Sequence, residues 1–66
     1  MADFENTPRY KIGDEVRTTW GARLTGRVME VIPARTPEAY HLYTVYVPMD
    51  AEPLILPVRE SEIEKV

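Results

Sequence analysis

Hydrophobic and polar residues alternate over short stretches of this chain, and most of these stretches end near a glycine or a proline. The clearest example is the stretch 40–47, where Tyr43, Val45 and Val47 occupy one set of alternate positions. A period of two places successive side chains on opposite faces of a β-strand. We therefore predict a strand at 40–47, with Tyr43 in the core.

Four further runs rich in Val, Ile and Thr predict short β-strands, at 15–19, 25–32, 54–58 and 63–66. No window shows the period of an amphipathic helix, and five of the six prolines interrupt the second half of the chain. The pattern therefore predicts an all-β domain of five strands over residues 10–66. Residues 1–9 are polar and aperiodic, and we expect them to form a flexible N-terminal arm.

The second predicted strand departs from simple alternation. Glu30 shares a nominal face with the apolar residues Val28 and Ile32. A β-bulge near Met29 and Glu30 would return Val28 and Val31 to one face. Because small barrels need such bends to close, the irregularity favours a strongly bent barrel over a flat sheet.

The length of 66 residues limits the chain to one small domain. A domain of this size buries only about 60 % of the surface that its unfolded chain exposes. The sequence has no cysteine and a single histidine, His41, which excludes disulfides, thiolate metal sites and clusters of histidine ligands. We therefore expect no metal site, and we expect self-association to supply part of the stability.

The first residues lack both the basic and the apolar region of a secretory signal. The longest apolar run, at 42–49, is shorter than the roughly 20 residues that span a bilayer. The absence of cysteine is in keeping with a reducing compartment. We therefore expect a cytoplasmic protein with no membrane partner.

The order of turns and strands resembles that of SH3-like barrels. Residues 13–16 read Gly-Asp-Glu-Val, and they are followed by Gly-x-Val-x-x-Val at 26–31, by Tyr-x-Val at 43–45 and by a final short strand at Ile63. This pattern is similar to the Tudor and KOW-type members of the group. The resemblance implies a small five-stranded SH3-like barrel.

A second resemblance is to the type II, plasmid-borne dihydrofolate reductases, which share the SH3-like scaffold. Residues 13–28 carry Gly-Asp-x-Val-Arg, Gly-Ala and Gly-x-Val elements like those of that family. Thr-Pro-Glu-Ala-Tyr at 36–40 resembles a loop of the family, and Leu-Ile-Leu-Pro-Val at 54–58 lies where the family has Val-Gln-Ile-Tyr-Pro-Val. The resemblance implies a homotetramer around one central pore.

The family lines its pore with a Gln-Ile-Tyr triplet and with a lysine. The corresponding residues of this chain are Leu54, Ile55 and Leu56 for the triplet, and Thr18 for the lysine. Only Ile55 is shared. The scaffold therefore matches, while the amide, the phenol and the cation that the family uses for nicotinamide and folate are replaced.

The apolar character of the same triplet leads to a separate prediction. Leu54, Ile55 and Leu56 form the most apolar run of the chain, and alternation can bury only one of its two faces. An apolar strand face that stays in solvent usually marks an interface. We therefore predict that these three residues form the interface of a homo-oligomer.

Aromatic residues supply the candidate contacts with a ligand or a partner. Trp20 lies in the connection between the first two strands, and Tyr40 and Tyr46 are expected to face outward from the third. Aromatic side chains on such barrels commonly build grooves for peptides or cations. We therefore predict Trp20, Tyr40 and Tyr46 as contact residues.

The first interpretation is a non-catalytic binding module that self-associates and needs no cofactor. We assign no catalytic residue, because His41 has no recognisable nucleophile or base partner and the carboxylates show no paired spacing. One alternative is a reductase of the type II kind that uses NADPH in a pore at Ile55. A second is a small nucleic-acid-binding barrel with a patch of Arg17, Arg23 and Arg27. The net charge of −3 makes nucleic acid the less favoured partner.

Overall fold

The computed structural model describes residues 7–66. These residues form five strands and one short 3-10 helix: β1 (Glu15–Thr18), β2 (Thr25–Ile32), β3 (Leu42–Val47), β4 (Leu54–Arg59), η1 (Glu60–Glu62) and β5 (Ile63–Lys65). The predicted all-β, five-stranded fold is confirmed. Most of the predicted N-terminal arm, residues 1–6, lies outside the described residues.

The five strands form one antiparallel sheet in the order β4-β3-β2-β1-β5. Strands β4 and β5 are its two edges, so hydrogen bonds do not close the sheet into a cylinder. One hydrophobic cluster nevertheless draws side chains from all five strands. The sheet must therefore curve around its own inner face, as a small barrel-like domain does.

The bend predicted in β2 is present as a β-bulge. The register between β2 and β3 shifts between Val28 and Glu30, which leaves one extra residue on β2. Val28 is then paired with Val45, and Val31 with Tyr43. Both valines thus point to the core side of the sheet, as expected from the sequence.

Tyr43 lies at the centre of the core and is 0 % exposed, which confirms its predicted position. The edge of the Tyr10 ring meets the Tyr43 ring, with the centroids 5.5 Å apart. The Tyr10 hydroxyl donates a hydrogen bond to the carbonyl of Ile63 at 3.2 Å. The segment before β1 is thereby attached to both the core and β5. The buried core comprises Tyr10, Val16, Val28, Tyr43, Val45, Val47, Val58 and Ile63.

The turn before β1 depends on Gly13 and Asp14. Gly13 has φ +97°, a conformation that glycine adopts without steric cost. The amide of Lys11 donates to Asp14 Oδ2 at 3.0 Å, and the amide of Asp14 donates to the carbonyl of Lys11 at 3.0 Å. The hydrogen bond from Lys11 holds the pKa of Asp14 below its usual value, against a small opposing effect of burial. Asp14 therefore has the turn role that its place after Gly13 predicts.

The turn between β1 and β2 is closed by the hydroxyl of Thr18, which is 1 % exposed. This hydroxyl accepts a hydrogen bond from the amide of Leu24 at 2.8 Å and donates one to the carbonyl of Trp20 at 3.2 Å. The predicted resemblance to the type II reductases places Thr18 where that family has a lysine. In this chain, the residue at that position supports a turn from inside the protein.

Gly26 marks the closest approach between β2 and β3. A Cβ atom at this position would meet the carbonyl oxygen of Tyr46, and it would lie 2.8 Å from Val45 Cγ1 and 2.9 Å from Val47 Cγ2. Two of these groups belong to the core and the third to the backbone of β3. None of them can move without disturbing the β2–β3 pair.

We predict that Gly26→Ala lowers the free energy of unfolding by about 1–3 kcal/mol, the range for overpacking a close-packed site. Urea denaturation followed by the fluorescence of Trp20, the only tryptophan, measures the change. Thr25→Ala is the matched control, because it changes the exposed neighbour on the same strand. Equal stability of Gly26→Ala and the parent chain would contradict the close approach.

Candidate functional site

One surface of β2, β3 and β4 leaves apolar side chains in solvent. Tyr46 lies opposite Ile55 across the β3–β4 pair, and Leu42 lies opposite Ile32 across the β2–β3 pair. These four residues are 39–52 % exposed, and Tyr46 lies between the buried Val45 and Val47. The surface is here termed the outer face, and it consists of Ile32, Leu42, Thr44, Tyr46, Ile55 and Pro57, with the charged residues Glu30 and Arg59 in the same rows.

The predicted interface triplet is divided between the two sides of β4. Ile55 lies on the outer face, whereas Leu56 is partly buried against the core. Leu54 is paired with the buried Val47 and therefore belongs to the core side, but it remains 38 % exposed at the start of the strand. Ile55 is thus the member of the triplet that alternation directs away from the core.

The free edge of β4 offers few backbone amides to another strand. The amide of Glu60 points toward β3 and donates to the carbonyl of His41 at 3.2 Å. Because successive amides of a strand point to opposite sides, the amide of Arg59 points to the free edge. That amide donates to Glu62 Oε1 at 2.8 Å. Pro57 has the same orientation as Arg59 and carries no N–H. Of the three edge-directed positions 55, 57 and 59, only Ile55 keeps a free N–H.

A groove of about 360 Å³ adjoins the outer face at Tyr46, and it is lined by Glu15, Thr25, Gly26, Arg27, Tyr46 and Pro48. Its residues come from one row across the sheet, because Glu15 is paired with Arg27 and Arg27 with Tyr46. Arg27 also donates a hydrogen bond to the carbonyl of Gly13 at 3.2 Å. The structure therefore places two predicted site residues, Tyr46 and Arg27, in the lining of one groove.

A second groove, of about 410 Å³, lies between the β2–β3 connection and η1. It is lined by Thr7, Ala34, Ala39, Tyr40, His41, Glu60 and Ser61 and is here termed the Tyr40 groove. The amide of Ala34 donates to Nδ1 of His41 at 2.9 Å, which orients the imidazole. His41 therefore has a structural partner, and its ring carries the proton on Nε2 when neutral.

Tyr40 precedes β3, which begins at Leu42 and not at residue 40 as predicted. Its ring is 59 % exposed, in agreement with the predicted outward orientation. The guanidinium carbon of Arg59 lies 4.5 Å from the centre of the ring, which is within cation–π distance. Tyr40 therefore belongs to the loop wall of its groove rather than to the sheet.

The carboxylate of Glu60 connects this groove to the core. Its Oε2 accepts a hydrogen bond from the Tyr43 hydroxyl at 2.5 Å and another from the amide of Arg9 at 2.8 Å. Burial of the Tyr43 hydroxyl, assisted by the hydrogen bond to Glu60, raises the pKa of Tyr43 to about 12. Burial alone would raise the pKa of Glu60, but the two hydrogen bonds and the nearby positive charges hold that pKa below its usual value.

The three predicted aromatic contacts do not share one pocket. Tyr40 and Tyr46 line separate grooves, and Trp20, which is 44 % exposed, lines neither of the two. Trp20 lies in the β1–β2 turn, as predicted. The contact role of these residues stays a prediction.

The three predicted arginines have different surroundings. Arg17 forms an ion pair with Glu64, with Nη2 3.0 Å from Oε2. Arg23 lies in the β1–β2 turn with φ 57°. Arg27 lies beside Glu15 across the strand pair. Acidic groups thus accompany two of the three cations.

Two searches of residues 7–66 bear on other site types. No group of three or more His, Cys, Asp or Glu residues in this range is arranged to hold a metal ion. The same part of the chain contains no helix long and apolar enough to cross a membrane.

Comparisons of the chain with models of known protein families, with curated proteins and with solved structures found no match. The resemblances to SH3-like barrels and to the type II reductases stay predictions, based on the motifs in the sequence.

Sequence reasoning missed two residues that matter for the groove. Glu60 belongs to an acidic stretch that has the pattern of a solvated surface, and its contact with Arg9 spans 51 residues. Tyr10 precedes the first strand at the boundary of the predicted arm. Its aromatic ring, next to the turn at Gly13, was the one available signal that the core begins there.

We predict that Tyr43→Phe lowers the free energy of unfolding at pH 7 by about 1–3 kcal/mol, because the amide of Tyr10 and the carboxylate of Glu60 lose a partner.

The raised pKa of Tyr43 also predicts how stability changes at alkaline pH. The contribution of the Tyr43 hydroxyl to the free energy of unfolding is complete below pH 10, the ordinary pKa of tyrosine, and is lost as the pH rises through about 12. Denaturation at several pH values should show a steeper alkaline loss for the parent chain than for Tyr43→Phe.

We predict the opposite direction for Glu60, whose pKa is lowered by folding. The contribution of the Glu60 carboxylate to the free energy of unfolding is present above the ordinary pKa of 4.5 and is lost as the pH falls below that value. Glu60→Gln should therefore be less stable than the parent at pH 7 and should lose less stability between pH 5 and pH 3. Glu38→Gln, an exposed carboxyl, is the control. Parallel acid profiles for Glu60→Gln and the parent would contradict the assignment.

Proposed function

We propose that this protein is a small binding module that acts by association rather than by catalysis, and that its outer face binds a second copy of the chain. The observation that carries the proposal is the exposed cross-strand pair of Tyr46 and Ile55 on the outer face. Leu42 and Ile32 form a second apolar pair on the same side of the sheet, separated from the first by the row of Glu30 and Thr44. An apolar surface of this kind on a small domain is typical of an interface.

The size of the domain supports the same conclusion. A single core of this size rarely supplies more than about 3–5 kcal/mol of stability. Burial of the outer face in a dimer would add hydrophobic surface to that core. Fully burying a side chain such as Ile55 would stabilise the dimer by about 1.5–3 kcal/mol, and a two-fold interface buries this residue from both copies.

The state of the β4 edge favours one mode of association. Pairing of two β4 strands requires free amides along the edge, and Pro57 and the bond from Arg59 to Glu62 remove two of the three. Side chains of the outer face are not restricted in this way. We therefore infer that two copies meet face to face, and not by extension of the sheet.

Charges at the margin of the outer face suit such an arrangement. Glu15 and Arg27 are neighbours in the row that leads to Tyr46 and Ile55. In a two-fold interface, the residues at one side of a patch face those at the other side in the partner. An acidic and a basic residue at the same margin can therefore complement those of a second copy.

Sedimentation equilibrium over a wide range of concentrations tests the proposal. We predict that the parent chain dimerises and that Ile55→Lys raises the dissociation constant more than tenfold, because each dimer would bury two additional ammonium groups. Ile12→Lys is the matched control, since Ile12 is 67 % exposed and lies outside the outer face. Its dissociation constant should remain within about twofold of the parent.

Two results would contradict the proposal. One is a parent chain that stays monomeric at millimolar concentration. The other is an equal effect of Ile12→Lys and Ile55→Lys, which would show that net charge and not the outer face controls association.

A further inference from the structure

The Tyr40 groove is distinct from the outer face and has a preorganised wall. The imidazole of His41 is fixed by the amide of Ala34, which is itself buried. The carbonyl of His41 accepts the amide of Glu60, so the β2–β3 connection is attached to the start of η1. A volume of about 410 Å³ is sufficient for a side chain or a small polar ligand.

Glu60 supplies the groove with an anion that has unused acceptor capacity. Both hydrogen bonds to its carboxylate, from Tyr43 and from the amide of Arg9, reach Oε2. Within residues 7–66, no hydrogen bond reaches Oε1. The lowered pKa keeps the group ionised at neutral pH. One carboxylate oxygen of a groove-lining residue is therefore left for an external donor.

Tyr40 supplies an aromatic surface, one part of which is covered by Arg59. The guanidinium of Arg59 lies 4.5 Å from the ring centre. The ring remains 59 % exposed with that contact in place, so part of it is open to solvent. A ring beside a carboxylate is the combination that recognises organic cations.

We propose that the Tyr40 groove binds a primary ammonium group, such as the side chain of a lysine in an extended peptide. The ammonium would donate to Glu60 Oε1 and lie against the ring of Tyr40, with the hydroxyl of Ser61 as a further acceptor on the same wall. The aliphatic stem of the lysine would contact Ala39.

The geometry favours an ammonium over a guanidinium. Arginine binds carboxylates best through two parallel hydrogen bonds to both oxygens. Oε2 of Glu60 already accepts two hydrogen bonds, so only one oxygen remains. A compact group with three rotatable donors suits a single free oxygen better than a planar fork does.

The test uses the full chain and three blocked amino acids, the Nα-acetyl N-methylamides of lysine, arginine and norleucine. Amide chemical shifts are followed by NMR during each titration. We expect the lysine compound to shift the amides of Tyr40, His41 and Ser61. Norleucine, which lacks the ammonium, should bind at least tenfold more weakly, and arginine should bind more weakly than lysine.

Variants locate the binding site. Tyr40→Leu should weaken lysine binding by about twofold to thirtyfold, the range of cation–π contributions. Tyr46→Leu, the matched change in the other groove, should leave lysine binding unchanged. Because Tyr40 and Tyr46 are both exposed, neither change threatens the fold. Binding to Ile55→Lys should equal that to the parent, since the inference does not rest on dimer formation.

Three outcomes would overturn the inference. One is norleucine binding as tightly as lysine, which would identify the groove as an apolar site. Another is tighter binding of arginine than of lysine. The third is the absence of shifts at the Tyr40 groove at the highest lysine concentration. Each of these comparisons uses the folded parent chain, so none depends on a variant that fails to fold.

Discussion

Tyr43 holds its ring in the centre of the core and its hydroxyl at the margin, where two segments remote in sequence meet. The hydroxyl accepts the amide of Tyr10 at 3.3 Å and donates to Glu60. The first contact attaches the segment before β1, and the second attaches η1, which leads into β5. The two ends of the described chain are therefore attached to the core through one residue of β3.

The position of Glu60 follows from the same interaction. Its carboxylate is held against the core by Oε2, and Oε1 accepts no hydrogen bond from residues 7–66. An ionised group in this place would be costly without its hydrogen bonds, because burial penalises its charge. The Tyr40 groove thus obtains its charge from a contact that also maintains the fold. By contrast, the outer face presents side chains on which the core does not depend.

The sequence predicts the strands well because period-two alternation reports directly which side chains point inward. Tyr43, the bulge before Val31 and the turn at Asp14 all follow from local patterns, and all three are confirmed. The start of β3 is less well predicted, because Tyr40 continues the apolar pattern although it lies in the loop. Local patterns do not report contacts between segments that are distant in the sequence.

The candidate sites show this limit most clearly. Alternation shows that one side of the 54–56 triplet must remain outside, but only the register with Val47 and Tyr46 shows that this residue is Ile55. The Tyr40 groove is not visible in the sequence at all. Its wall combines residues of the β2–β3 connection with Glu60, and the carboxylate looks like any surface acid until its partners are known.

The strand order also has a consequence for the time course of folding. β1 to β4 pair with their neighbours in sequence, so each of those pairs can form as a hairpin. The β1–β5 pair is different, since the ion pair of Arg17 and Glu64 across it joins residues 47 positions apart. Closing so long a loop costs chain entropy before any contact offsets it. The edge of β1 that β5 covers is therefore paired later than the edges that the hairpins join.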